Sequence, residues 1–311
     1  MNGRKEICLK CSKIEQHRGV YSCPLFGREL MSAINKEENS CEYWPVNKIK
    51  RATNVKFYRN TKEIINLTNL WKDQKVFLLC NGPSRNDYDL DLLNQPGIMT
   101  MTINNGGHDF RSDFWVSQDT PAKFMSDIWL DPKIMKFTNM ASFNHTFFSQ
   151  KDGSKIKVGS CQNIYYHQRN GNQSVANWLS LKNDFISWNT PKELGPRKRS
   201  TMLAAIHILY VLGFTKIYLL GADLKMSKES KYCFKQDRTA RSIKHNTATF
   251  KALVTFLKVM RPKFEEGNLF IYNCGKTALN VFDYVPYEDA IEDCKIYTGG
   301  STDGMYEGKR G

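Results

Sequence analysis

Residues 200–212 (STMLAAIHILYVL) constrain this chain more than any other stretch, because they are apolar almost throughout and end at Gly213. A glycine just past an apolar helix is a C-terminal stop. Residues 216–223 (KIYLLGAD) follow at once and read as a buried strand ending on an acid. The same alternation runs upstream. Residues 75–80 (KVFLLC) form a short apolar run closed by Asn81-Gly82-Pro83-Ser84, a strand followed by a tight turn. Residues 97–104 and 113–119 are strands with polar ends, and residues 134–137 are a fourth candidate. Downstream come an amphipathic helix at 245–260, a strand at 269–274 and a short helix near 287–294. Strands alternating with helices predict an α/β fold, a Rossmann-like and mostly parallel sheet flanked by helices.

In such sheets ligands bind beyond the carboxyl ends of the strands. Polar residues collect at those ends here: Asn81, Ser84, Asn104, Asp119, Asp223 and Asn273. Gly82 directly after a strand lets backbone approach a phosphate closely, and Ser84 offers a hydroxyl and an N–H. The same tetrapeptide also makes an ordinary turn. It is not a Walker loop, since no Gly-Lys-Ser/Thr follows. The expected organisation is a cysteine-rich module at 1–46, a connector with a short helix at 47–74, and the Rossmann-like domain at 75–295. Within that domain, 138–196 is mixed strand and loop and a candidate lid, and 224–243 is a polar active-site loop. Residues 296–311 form a Gly-rich basic tail, expected to be flexible.

Nine cysteines are present, and four crowd the start of the chain: Cys8, Cys11, Cys23 and Cys41. The dispersed five (Cys80, Cys161, Cys233, Cys274, Cys294) fit core positions. Clustered cysteines outside an oxidising compartment point to metal more than to disulfides. Cys8-x2-Cys11 is a metal knuckle, and Cys23 and Cys41 complete a four-thiolate zinc site, with His17 an alternative ligand and an iron–sulfur cluster an alternative metal group. The segment has little apolar mass, so a bound structural zinc would supply the missing stabilisation.

The chain carries 45 Lys and Arg against 31 Asp and Glu, a formal net charge of +14. Such a balance favours an anionic partner, whether DNA or RNA, acidic lipid or a nucleotide, although scattered lysines also serve solubility. The densest run is Pro196-Arg197-Lys198-Arg199. No run approaches the roughly 18 apolar residues of a membrane span, and the start lacks an apolar signal core. A cytoplasmic location is the expectation, and the sequence leaves the oligomeric state open.

The motifs form one set: CNGPS after a strand, STMLAAI, then LGFTKIYLLGADL, KYCF, HNTATFKALVTFL and IYNC. In order and spacing, from about residue 75 to residue 290, this set resembles the bacterial lipooligosaccharide sialyltransferases and their relatives. The resemblance implies a glycosyltransferase using a nucleotide-sugar donor. It implies that Asn81, Gly82 and Ser84 hold the donor's nucleotide and phosphate, with Asn104, Ser200, Thr201 and Asp223 beside them. Tyr232 would contact the departing phosphate, and His245 would be the general base. Sugar transfer passes through an oxocarbenium-like state and needs a base for the acceptor hydroxyl, for which a histidine is suited. His245 could equally be a solvated residue capping its helix.

No catalytic metal is expected, because no Asp-x-Asp stands at a strand end; Asp89-x-Asp91 lies in a loop. His207, inside the apolar helix, reads as a core histidine, while His108, His145 and His167 have no distinctive context. The charge admits a modified nucleic-acid base as acceptor, flipped out of any duplex. Two other functions fit parts of the pattern. The Gly-Pro-Ser turn and GxD strand are similar to archaeal-type hydroxymethylpterin diphosphokinases, which use ATP and Mg²⁺. The scaffold could also be a non-catalytic nucleic-acid-binding protein.

Overall fold

The computed structural model describes residues 54–170, 173–227, 232–236, 239–275 and 279–295. Before these it gives only the backbone of three short antiparallel strands, Glu15–His17, Val20–Cys23 and Arg28–Glu29. The zinc ligand set (Cys8, Cys11, Cys41 and the side chain of Cys23) and the tail at 296–311 lie outside the described residues.

Ten strands form one sheet. They are β1 (Phe57–Tyr58), β2 (Ile64–Ile65), β3 (Lys75–Leu79), β4 (Thr100–Ile103) and β5 (Phe114–Ser117). The rest are β6 (Met135–Asn139), β7 (Ile164–Asn170), β8 (Phe185–Ser187), β9 (Lys216–Leu220) and β10 (Phe270–Asn273). Their order is β10-β9-β3-β4-β5-β6-β7-β1-β2, with β8 also paired to β7. Every pairing from β10 to β7 is parallel, as is β7 with β8, while β1 and β2 add an antiparallel edge. The chain runs from β3 outward to β7, then returns to lay β9 against the other side of β3. The order of connection therefore reverses between β3 and β9.

The two-sided burial of this sheet follows from its apolar runs. Side chains alternate across a strand, and β3 puts Val76 and Leu78 into one core and Phe77 and Leu79 into another. Strand β9 does the same with Ile217 and Leu219 against Tyr218 and Leu220. Helices α1 (Thr201–Leu212) and α2 (Ala240–Glu266) close the first core, and α3 (Tyr287–Cys294) closes the second. From Met202 to Leu212 every residue of α1 except Tyr210 is buried, because the sheet lies on one side and α2 on the other. Four of the five dispersed cysteines are buried, as core residues should be.

One segment differs from expectation, and another is filled in by the sheet. The connector holds no helix at residues 61–71; it supplies β1 and β2 and then a turn. Here tertiary hydrogen bonds outweigh local helix propensity. The N–H groups of Asn69, Trp71 and Asp73 donate to the carbonyls of Val211, Leu212 and Gly213, satisfying the end of α1 that would otherwise be orphaned. Asn69 and Asp73 take left-handed conformations to do so. The stretch at 138–196, expected as mixed strand and loop and a candidate lid, supplies β7 and β8, so this part of it belongs to the sheet itself. No helix of the described residues is long and apolar enough to cross a membrane.

His207 lies in the core as expected, and His167 is buried with it. His207 Nδ1 accepts the Ser187 N–H at 2.7 Å. Burial pushes His167 down to about 4 and His207 down to about 3. Both stay neutral in the fold but can charge near pH 6.5 when unfolded, so protonation favours the unfolded chain. Their stabilisation is complete above pH 6.5 and is lost as pH falls toward 4. The urea midpoint should therefore drop between pH 7.5 and pH 5, each histidine contributing up to about 1.4 kcal/mol per pH unit below 6.5. A midpoint constant over that range would contradict this account.

Candidate functional site

The turn after β3 is tied to the end of β9. The Cys80 N–H donates to the Leu220 carbonyl, and the Gly82 N–H donates to the Gly221 carbonyl at 2.8 Å. A short 3₁₀ helix (Pro83–Asp87) then begins, and Asp223 caps it. The Ser84 N–H donates to Asp223 Oδ2 at 2.9 Å, and the Ser84 hydroxyl donates to Oδ1. A Cβ on Gly82 would collide with the Gly221 carbonyl and the Asp223 carboxylate. Glycine is thus required here for close packing of two strand ends. The two Ser84 donors expected at a phosphate are both engaged by Asp223. Burial pushes the Cys80 thiol beneath this turn up to about 12, which leaves it inert.

Beside the turn, at the ends of β3 and β4, lies a set of buried polar atoms without partners among the described residues. Arg85 is wholly buried and pairs through Nη2 with Asp109, but its Nε and Nη1 have no acceptor. Asn81 Oδ1, Asn104 Oδ1 and Asn105 Oδ1 likewise have no donor. Gly106 marks how close these groups come: a Cβ there would strike both Asn81 Oδ1 and Arg85 Nη1. Asn104 is left-handed, and its carbonyl accepts the Trp115 indole N–H at 2.7 Å. Buried polar groups are normally satisfied, so a cluster of exceptions needs a reason. Sequence patterning missed Arg85, because a lone arginine one residue past a turn reads as solvated.

The segment bearing Tyr232 crosses the same turn. The Cys233 N–H donates to the Asn81 carbonyl at 3.0 Å, and Asn86 Nδ2 donates to the Cys233 carbonyl. Tyr232 stacks on Phe234 with ring centroids 5.3 Å apart. The structure therefore brings Asn81, Gly82, Ser84, Asn104, Asp223 and the Tyr232 backbone to one corner of the sheet.

A cleft of about 290 Å³ opens farther along the same edge, at the ends of β5 to β8 and the start of α1. Its lining includes Gln118, Asp119, Asn139, His145, Arg169, Trp188, Arg199, Ser200 and Thr201. Arg169 lies 4.3 Å and Arg199 5.2 Å from the Trp188 ring centroid. Arg169 also donates to the Gln118 carbonyl at 2.6 Å. Partial desolvation of its guanidinium, and then the Arg199 guanidinium, lower the proton affinity of Arg169, against an opposing contribution from Asp119. The Ser200 hydroxyl is occupied as the N-cap of α1, accepting the Met202 N–H at 3.2 Å. His145, Arg169 and Trp188 carried no sequence signal, since they come from separate elements that only the sheet brings together.

His245 stands apart from this cleft. Helix α2 begins at Ala240 with Thr239 as its N-cap, so His245 sits in the second turn and does not precede the helix. It is exposed. Its neighbour Asn246 reaches Met226 Sδ at 3.5 Å, which sets this turn of α2 beside the loop that follows Asp223. Asp89 accepts the Asp91 N–H and caps a short 3₁₀ helix. Among the described residues, no three His, Cys, Asp or Glu side chains group as metal ligands.

No family model and no curated protein matches the chain. Among solved structures, it is similar to the sialyltransferase CstII from Campylobacter jejuni in complex with cytidine-5'-monophosphate. That likeness has 13% identity and a TM-score of 0.38, over 69% of this chain and 86% of that one. The same enzyme with CMP-3FNeuAc gives 12% identity and a TM-score of 0.37, over 68% and 86%. Likenesses this remote carry no activity across.

Replacing Asp223 with Ala should free both Ser84 donors and loosen the tie between β3 and β9. Removing a charged acceptor from two donors should lower unfolding stability by roughly 1–3 kcal/mol in urea titrations. A change below about 0.5 kcal/mol, the range of neutral surface substitutions, would mean that Asp223 does not hold the turn.

Proposed function

We propose that this chain is a glycosyltransferase whose nucleotide-sugar donor lies along the carboxyl edge of the sheet, starting at the ends of β3 and β4. The carrying observation is the set of unpartnered buried atoms there: Asn81 Oδ1, Asn104 Oδ1, Asn105 Oδ1 and the Nε and Nη1 of Arg85. Three acceptors beside a guanidinium suit a ligand that combines hydroxyl or amino donors with a phosphate, as a nucleotide does. The set lies next to the reversal between β3 and β9, the usual ligand crevice of an open parallel sheet. The motif order of the sequence supports the same reading.

In this reading Arg85 and the Tyr232 segment stabilise the leaving phosphate as the bond from sugar to phosphate breaks. His245 takes the proton of the acceptor hydroxyl as the new glycosidic bond forms, which requires the Met226 loop and α2 to face the acceptor. The net charge of +14 favours a polyanionic acceptor, with nucleic acid foremost. Asp223 is committed to Ser84, so Asp119 is the next candidate base.

Thermal shift against CMP-, UDP-, GDP- and ADP-sugars should find one stabilising donor, and Asn104→Ala should abolish that shift. His245→Ala should keep the shift while turnover falls roughly 10²–10⁴-fold and the acidic limb of the pH–rate profile disappears. If no nucleotide sugar stabilises the protein, the transferase reading fails. If His245→Ala turns over like the wild type, the base is another residue.

A further inference from the structure

We infer that the cleft around Trp188 is a nucleotide subsite that holds a single-stranded polynucleotide apart from His245; that this strand is the acceptor rests on the proposed glycosyltransferase reading. Two guanidiniums, Arg169 and Arg199, flank one indole at 4.3 and 5.2 Å. Among the described residues no carboxylate forms an ion pair with either; Asp119, on the cleft wall, lies 3.8 Å from Lys123 instead. The cleft therefore presents two guanidiniums against the single carboxylate of Asp119, which acts on Arg169 without pairing to it. The twelve-residue helix α1 adds its N-terminus to the same wall, with no acidic residue in its first turn. Positive charge concentrated in this way calls for phosphate.

Two further features select a nucleotide over inorganic phosphate. The half-buried Trp188 ring and the guanidinium planes lying over it together make a surface of the kind on which a base stacks. Gln118 is 3% exposed, and its Oε1 has no partner among the described residues. The reason is visible next to it. His167 Nδ1 bonds the Gln168 carbonyl and, because the ring is neutral, its Nε2 accepts from Gln118 Nε2 at 3.0 Å. The Gln118 oxygen is thereby left as an acceptor for a ligand N–H or O–H. A volume of about 290 Å³ suits one nucleotide unit. A base in such a cleft is unpaired, so the strand must be single or the base flipped out. Arg197 and Lys198 directly precede Arg199 in the chain.

The experiment measures binding of a labelled fifteen-residue oligo-dT by fluorescence anisotropy, without donor, over a range of salt concentrations. In the Arg169→Gln/Arg199→Gln double variant, the slope of log affinity against log salt should shrink by about 1.4, two phosphates at roughly 0.7 each. Trp188→Leu should weaken binding roughly ten- to a hundredfold. Both arginines are exposed, so the double variant remains informative even if Trp188→Leu fails to fold. Lys251→Gln/Lys258→Gln, which removes two exposed charges from α2, is the control and should leave the slope nearly unchanged. An unchanged slope in the arginine variant, or an equal change in the lysine control, overturns the subsite. Competition of oligo-dT by a free nucleotide sugar would give the cleft to the donor and also overturn it. Oligo-dT binding that needs the arginines, in a protein that transfers no sugar, sinks the transferase reading and keeps the subsite.

Discussion

The pairing of β3 with β9 does not end where the sheet ends. It continues through Cys80 to Leu220 and Gly82 to Gly221, and Asp223 completes it by taking both donors of Ser84. This tie fixes where the chain turns after β3, and so where Asn81 and Arg85 point. An extra methyl at Gly82 has no room, so sequence and packing agree on glycine for a reason unrelated to ligand. Once the corner is rigid, the cost of leaving Arg85 and three asparagine oxygens unsatisfied is tolerable only if something else meets them.

Helix α1 transmits the same order to the second half of the edge. Its apolar length is held between the sheet and α2, its last carbonyls are satisfied by residues 69–73, and its start opens on the Trp188 cleft. A helix buried on all sides cannot shift without opening the core. Ser200, and with it the strand end carrying Trp188, is therefore fixed: the Ser200 N–H donates to the Trp188 carbonyl at 3.0 Å.

What could be read from sequence was what repeats locally. The strands at 75–79, 100–103, 114–117, 216–220 and 270–273, and the helix at 201–212, show as apolar runs with polar or glycine ends. Asn81, Gly82, Asn104 and Asp223, which share one corner, are legible in the sequence because each follows a strand end. The edge strands β1 and β2 are not, because two-residue strands carry no period and exist only by pairing with β7 or with each other. Ser84 was found but its partner was not: nothing in the chain says that Asp223, 139 positions on, takes both its donors. Arg85, Arg169 and Trp188 were invisible for the same reason.

The central claim is that ligand occupies the carboxyl edge of the sheet from β3 onward. Amide hydrogen exchange with and without the stabilising nucleotide sugar tests it most directly. The account predicts slowed exchange in residues 81–86 and 104–107, with α3 and the β1–β2 edge unchanged. Slowed exchange confined to those remote elements, with residues 81–86 and 104–107 unaffected by a donor that demonstrably binds, would contradict it.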